Sequence, residues 1–388
     1  MALPMHCNVC ETPMGGPIFE ASSQQALTSL CELRPGRARV WVCRACGHLR
    51  GEALPDTSAY YESDYRILLN HEDEDQIYEV RGERIVYRTD HQVSTLLDKL
   101  RLPDGARLLD YGCAKGSTPK RLLAHRPDLL VHLFDVSEMY GAHWDRFLDP
   151  ARRAVHRTPP HWQGTFDAVT SLFALEHIPA PRETVQRVAA LLKDDGVFYG
   201  IVPDAFGNVA DFVVIDHVNH FTASSLHTLL SAAGFSQIGI DAEAHRGALV
   251  FLARKHGAPT VCPDVSATLA RSLDLARYWT RLSERIRAAE HRQDDVAAAA
   301  IYGSGFYGAY IASTLRRPER VRCFLDRSPY QQGKTLFGKK IIAPEQLAED
   351  IRTLYVGLNP AIARTTLANT EWLGGRDLAL VFLDEGGP

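Results

Sequence analysis

Two stretches of this chain end an apolar run on an acid. Arg107-Leu108-Leu109-Asp110 leads into Tyr111-Gly112-Cys113-Ala114-Lys115-Gly116, and Val131-His132-Leu133-Phe134 ends on Asp135. The first reads as a strand breaking into a glycine turn and then a helix, the second as the next parallel strand. Glycines in such a turn let a ligand approach the backbone, and the second carboxylate can hold the two hydroxyls of a ribose. The pattern Asp-x-Gly-Cys-x-x-Gly, in place of Gly-x-Gly-x-x-Gly, points to S-adenosylmethionine. Its methionine moiety carries its own charges, so no pyrophosphate has to sit on the helix N-terminus. Asp110, Gly112, Cys113, Gly116 and Asp135 are therefore the candidate donor-binding residues.

A methyl donor needs an acceptor made nucleophilic. Leu175-Glu176-His177-Ile178-Pro179 follows a strand at Phe166 to Thr170, and Asp216-His217-Val218-Asn219-His220-Phe221 follows one ending near Pro203. Both segments belong at the carboxyl edge of a parallel sheet, beside the donor. Imidazole titrates near neutrality, and an adjacent carboxylate can raise its basicity. The expected roles are His217 as base, Asp216 orienting it, and His177 steadying an oxyanion, with Tyr65 of a tyrosine-rich connector (Tyr60, Tyr61, Tyr65) as a further candidate. Among 16 histidines, a surface or capping role is the competing reading for each.

Cys7-x-x-Cys10 and Cys43-x-x-Cys46 can each fold a knuckle that offers two thiolates to one tetrahedral zinc. Four of eight cysteines are used in this way, and the other four are too scattered for a disulfide framework. His6 and His48 flank the knuckles as alternative ligands. Two pairs fit a redox motif poorly.

The chain is 388 residues long, 45% apolar and 23% charged, with formal charge −4. That length predicts two or three domains. The acidic balance argues against a nucleic-acid partner, and no stretch approaches a membrane span. A soluble, cytoplasmic protein is expected. An amphipathic helix is predicted from about 76 to 101, helices over Arg182 to Leu192 and Ser224 to Ala233, and a long bridging helix from about Ser266 to His291. Strands alternate with these helices as in a doubly wound sheet. A second glycine turn, Gly303-Ser304-Gly305-Phe306-Tyr307-Gly308, precedes a strand ending on Asp326. Gly303, Gly305, Gly308, Asp326 and Lys334 are thus candidates for binding a second ligand. A lone Gly-x-Gly-x-x-Gly of this kind also occurs in units that bind no dinucleotide.

The ordered set resembles the sugar C-methyltransferase family over nearly the whole chain. The match is carried by Cys7, Cys10, Cys43 and Cys46; Asp110, Gly112, Cys113 and Gly116; Tyr61-x-x-x-Tyr65; His177; Asp216-His217; and Asp326-Arg-Ser-Pro-x-x-x-Gly333-Lys334. The resemblance implies an α/β protein of three parts. These are a zinc-binding domain with its connector over 1–75, a class I S-adenosylmethionine-dependent, Rossmann-like methyltransferase domain over 76–258, and a linker helix with a second Rossmann-like, acceptor-binding domain over 259–388. It implies C-methylation next to the keto group of a nucleotide-linked deoxysugar, with zinc and S-adenosylmethionine as cofactors. His220 would join the acceptor-binding residues. The family's tyrosine-histidine-glutamate-histidine run reads Val214-Ile215-Asp216-His217 here, keeping acid and base and losing the first two residues. O- or N-methylation of a related intermediate, a non-catalytic ligand-binding protein and a dehydrogenase are the other readings. The last lacks a catalytic tyrosine-lysine or cysteine arrangement.

Overall fold

The computed structural model describes residues 5–65, 75–81, 84–292, 297–368 and 370–383. The chain folds into two compact units. Met1–Gly16, Trp41–Asp211 and Asp216–Leu269 make one, and Pro17–Val40, Phe212–Ile215 and Ala270–Pro388 the other. This grouping departs from three successive domains bounded at 75 and 258. Both cysteine pairs belong with the central sheet, and most of the chain between the pairs belongs with the C-terminal residues. A segment this short has little core of its own. Cys7, Val9, Met14, Trp41, Cys43 and Cys46 instead share a buried cluster with Phe221 and Leu226.

The first unit is built on strands β1 (Arg107–Tyr111), β2 (Leu130–Asp135), β3 (Arg153–Val155), β4 (Phe166–Leu172), β5 (Leu192–Pro203), β6 (Gln237–His245) and β7 (Ala248–Arg254). Their order is β3-β2-β1-β4-β5-β7-β6. All neighbours from β3 to β5 are parallel, and β7 runs antiparallel to both β5 and β6. Helices on both faces require the central strands to be apolar throughout. Leu108, Leu109, Val131, Leu133, Ala168 and Val169 are accordingly buried. The order reverses between β1 and β4, which opens a crevice at their carboxyl ends.

Helix α1 (Arg88–Lys99) packs beside α2 (Ser117–His125). The helix expected from residue 76 starts only at Arg88, because Ile77–Arg81 and Arg84–Tyr87 pair as antiparallel strands. Ile77, Tyr78, Ile85, Val86 and Tyr87 are β-branched or aromatic, which favours strand over helix. Helix α3 (Pro181–Leu191) opens on proline, whose missing N–H costs nothing there. Helix α4 (Ala223–Ala232) opens on a capping box between Thr222 and Ser225. Helix α5 (Val265–Arg292) is the long helix expected from the sequence. Among the described residues no helix is long and apolar enough to cross a membrane.

The second unit carries β8 (Ala298–Tyr302), β9 (Val321–Leu325), β10 (Thr335–Leu336), β11 (Lys339–Ile342), β12 (Ile351–Val356) and β13 (Ala379–Val381), in the order β10-β11-β9-β8-β12-β13. All pairs are parallel except β10 with β11. Its glycine turn links β8 to helix α6 (Phe306–Thr314). A Cβ on Gly308 would collide with the carbonyl oxygen of Gly303. That clash is with backbone and cannot be relieved by a rotamer change. Gly308→Ala is therefore expected to destabilise this unit by about 1–3 kcal/mol, the usual cost of overpacking. Thermal melting checks it: an unchanged melting profile would mean that helix and turn are not packed this closely.

Candidate functional site

The glycine turn after β1 is held by the end of β2. Gly112 and Cys113 donate backbone N–H groups to the Phe134 carbonyl at 2.8 and 3.1 Å. The Asp135 carboxylate accepts from the N–H of Ala114 at 2.8 Å and of Ser137 at 3.1 Å. Gly112 has φ of 79°, and a Cβ there would lie 2.7 Å from that of Ala174, so the turn needs glycine for both conformation and space. Asp110 is buried and accepts a hydrogen bond from the Thr170 hydroxyl at 2.7 Å. Burial pushes its carboxyl up to about 7, against that hydrogen bond. Burial also raises Asp135.

A cavity of about 540 Å³ opens on this turn, a size typical of small-molecule sites. Asp110, Gly112, Cys113 and Asp135 line it, and so do Tyr61, Tyr65 and His177. Gly116 starts α2 at φ 76° and is packed under Phe147 and Leu133. Four of the five expected donor-binding residues thus gather at one cavity, and Gly116, at the start of α2, is not among its lining residues.

His177 sits in the short turn after β4, and its Nδ1 lies 2.7 Å from the Tyr61 hydroxyl and 3.1 Å from the Asp216 carbonyl. Tyr61 projects from a five-residue π-helical turn, Tyr60–Asp64, and donates to the same carbonyl at 2.7 Å. Such turns recur at functional sites. Burial, then the nearby charge of His217, push His177 down to about 4. The His217 ring meets the His177 ring edge to face, with centroids 4.6 Å apart.

The carboxylate that orients His217 is Asp211 and not Asp216. Asp211 holds His217 Nδ1 at 2.5 Å through one oxygen and His220 Nδ1 at 2.8 Å through the other. Burial opposes a charge on His217, yet Asp211 outweighs it and raises the imidazole to about 9. The two imidazoles in turn keep the buried Asp211 carboxyl well below its usual range. Asp216 serves His177, its carboxylate 3.9 Å from Nδ1. His217 and His220 are buried and are not among the residues lining the cavity, and His220, expected to contact the acceptor, is instead bonded to Asp211.

Sequence reading misses Asn219, whose side-chain amide donates to the carbonyls of Leu175 at 2.8 Å and Ile178 at 2.7 Å and so clamps the His177 turn. Glu176 is buried within this group, raised to about 7 by burial, and its Oε2 has no hydrogen-bond partner. In the second unit, Asp326 accepts from Ser304 N–H at 3.0 Å, Ser304 Oγ at 2.5 Å and Ser328 N–H at 2.9 Å. Gly303 and Gly308 pack against each other, Gly305 is exposed, and Lys334 is an exposed turn residue.

The four knuckle thiols converge as well. Cys7 and Cys46 sulfurs are 3.7 Å apart and Cys10 and Cys43 sulfurs 3.4 Å, with all four within 4.8 Å of one another. Tetrahedral ligands at about 2.3 Å from one zinc lie roughly 3.8 Å apart, whereas a disulfide needs about 2.05 Å. The hydrogen bonds from Cys43 and then Cys7 hold the Cys46 thiol protonated, so four thiolates here call for a cation. Neither His6 nor His48 belongs to the ligand group. The knuckle also reaches the acid–base cluster, because Asn8 donates to Asn219 Oδ1 at 2.6 Å and to the Pro179 carbonyl at 3.2 Å.

Residues 83–238 match the family model described as "Methyltransferase domain". The chain is 30% identical over 201 residues to the C-methyltransferase NovU of Streptomyces niveus, covering 46% of this chain and 48% of that one. It is 34% identical over 100 residues to a ubiquinone biosynthesis O-methyltransferase of Xanthomonas oryzae pv. oryzae, covering 24% of this chain and 42% of that one. The chain therefore spans about half the length of these curated relatives or less. Among solved structures, an S-adenosylmethionine-dependent methyltransferase from Mesorhizobium loti aligns over 42% of this chain and 97% of its own, at 17% identity and a TM-score of 0.35.

Protein purified without added metal is expected to hold one zinc per chain. Elemental analysis checks this, and thiol titration should find the four knuckle cysteines protected until the ion is removed. Metal content near zero with all four thiols freely reactive would refute the knuckle.

Proposed function

We propose that the protein is an S-adenosylmethionine-dependent methyltransferase that methylates a carbon next to the keto group of a nucleotide-linked deoxysugar. One observation carries the reading: the strand-end acids and glycine turn of the donor motif line the same cavity as the Tyr61–His177 pair. The donor supplies an electrophilic methyl group. Asp110 suits its ammonium, since a nearby cation favours the ionised form of a carboxyl lifted to about 7. Asp135 suits the ribose: its oxygens hold two backbone N–H groups and keep further lone pairs for hydroxyls.

The acceptor must lose a proton from carbon before it can take a methyl group there. The His177–His217 pair handles that proton, and Tyr61 and Asp216 hold His177 in place. Closing reactants into a buried cavity supplies much of the rate through orientation. Carbon is favoured over oxygen by the two adjacent imidazoles: removing a carbon-bound proton needs a base and a means of holding the enolate charge. The relative named a C-methyltransferase is in keeping with this reading. O-methylation stands as the second reading, because an O-methyltransferase is also similar.

Zinc at Cys7, Cys10, Cys43 and Cys46 is structural in this proposal, and the second parallel unit is a Rossmann-like domain that receives the sugar nucleotide. Asp135→Ala should weaken donor binding by about 1–3 kcal/mol, read by calorimetry. Incubation with the donor and a panel of keto sugar nucleotides should give a product carrying one extra methyl on carbon by mass spectrometry and carbon NMR. A methyl group found on oxygen would select the second reading. Unchanged donor affinity in the Asp135 variant would remove that residue from the ribose.

A further inference from the structure

Resting on that reading, we infer that His177, through Nε2, is the base that takes the acceptor's proton, and that His217, held as an imidazolium by Asp211, stabilises the developing enolate. This reverses the roles that the sequence suggests.

Hydrogen-bond valence carries the first half. A carbonyl oxygen only accepts, so the 3.1 Å contact from His177 Nδ1 to the Asp216 carbonyl requires a proton on Nδ1. Tyr61 has a single hydroxyl proton and gives it to that carbonyl, so its oxygen, 2.7 Å from Nδ1, shares the one Nδ1 proton with the carbonyl in a bifurcated bond. Both contacts are satisfied only by the Nδ1–H tautomer. His177 is left with a bare Nε2 on a ring that lines the cavity. The protein has thus fixed a lone pair where a proton must be removed.

The second half rests on where His217 is anchored. Its Nδ1 faces a carboxylate that is buried and shared with His220, so the ion pair is shielded from water. The groups acting on His217 include Asp211, Asp216, Glu176 and His177, and His220 shares Asp211 with it. Those acting on His177 are His217, Asp216 and Asp211, with the rings of Tyr61, Tyr65 and His217 packed against it. The set leaves His217 cationic and His177 neutral at neutral pH, and each state favours the other. Two titratable groups whose surroundings push them apart divide acid from base work. A base as weak as His177 succeeds only if the enolate is stabilised, and a fixed cation one ring away does that.

The proton moves from the acceptor's α-carbon to His177 Nε2, and the C–H electron pair becomes the enolate and then the bond to the methyl carbon. The sulfur–methyl pair returns to sulfur, which becomes a neutral thioether. His177 then releases its proton to water.

The pH profile of kcat/KM distinguishes the two assignments. The active form carries neutral His177 and protonated His217. Activity should hold up to about pH 8 and fall as pH rises through about 9, where His217 loses its proton. Were His217 the base, activity would rise through the same range, and that result overturns the inference. Asp110 and Glu176, both lifted to about 7, bear on the neutral range and not on this alkaline limb. Asp211→Asn should shift the limb to lower pH, a change that a merely structural carboxylate would not produce. His177→Gln should slow solvent-deuterium exchange at the acceptor carbon by roughly 10²–10⁴ while keeping the limb. Nitrogen NMR of histidine-labelled protein needs no acceptor, so it stays readable even if no keto sugar is a substrate. It should show His217 protonated on both nitrogens and His177 on Nδ1 alone at neutral pH. A neutral His217 with a bare Nε2 would refute the inference and leave the methyltransferase reading untouched.

Discussion

A buried carboxylate must be neutralised, and much of the acid–base site follows from how Asp211 meets that demand. Its two oxygens take two imidazoles, His217 and His220, at opposite ends of a four-residue run. This fixes Asn219 between them. From there Asn219 reaches the carbonyls of Leu175 and Ile178 and sets the turn that carries His177. Asn219 and His220 also pair as a short strand with Leu49 and Arg50 beside the second cysteine knuckle. One desolvated charge is thereby tied to the second cysteine pair and to the histidine turn that lines the cavity. Removing a single partner from such a network leaves the rest unsatisfied, which is why buried ion pairs constrain structure more than they add stability.

The knuckle acquires a purpose from the same geometry. Its cysteines do not build a separate domain. They bring Asn8 against Asn219 and Pro179, and Val9 against Arg182 at the start of α3. The zinc proposed at the four cysteines would hold this small loop together without a core of its own. Through Asn8 it braces the turn that holds His177.

Features set by neighbours in sequence can be read from the sequence. Asp110, Gly112, Cys113 and Asp135 are legible because a strand, a tight turn and a second strand place them by local rules alone. The strand pair Ile77–Arg81 and Arg84–Tyr87 escapes such a reading because its apolar spacing also satisfies a helix, and only alternation with β-branched residues separates the two. Adjacency makes Asp216 the natural choice for His217, yet adjacent residues in irregular chain point apart. The residue that reaches the ring is six positions back, across Phe212–Ile215, which groups with the other unit. Tyr61 is visible as half of an aromatic pair, but nothing in the spacing tells it from Tyr65. The π-helical turn decides that.

The two strand-end aspartates show how far such a motif can be pressed. Asp135 accepts from the N–H of Ala114 in the glycine turn and from that of Ser137, two residues on. Asp326 accepts from the N–H of Ser304 in its own glycine turn and from that of Ser328, again two residues on. The same clasp closes both turns, so an acid at this position is required by the fold before any ligand is considered. What differs is what surrounds them. Asp135 borders the 540 Å³ cavity, whereas Asp326 carries a third hydrogen bond, from Ser304 Oγ. The glycines divide in the same way: Gly112 opens onto the cavity, while Gly303 and Gly308 are spent on bringing α6 against β8. A glycine turn paired with a strand-end acid identifies the architecture, and the free volume beside the first turn is what marks the candidate donor cavity.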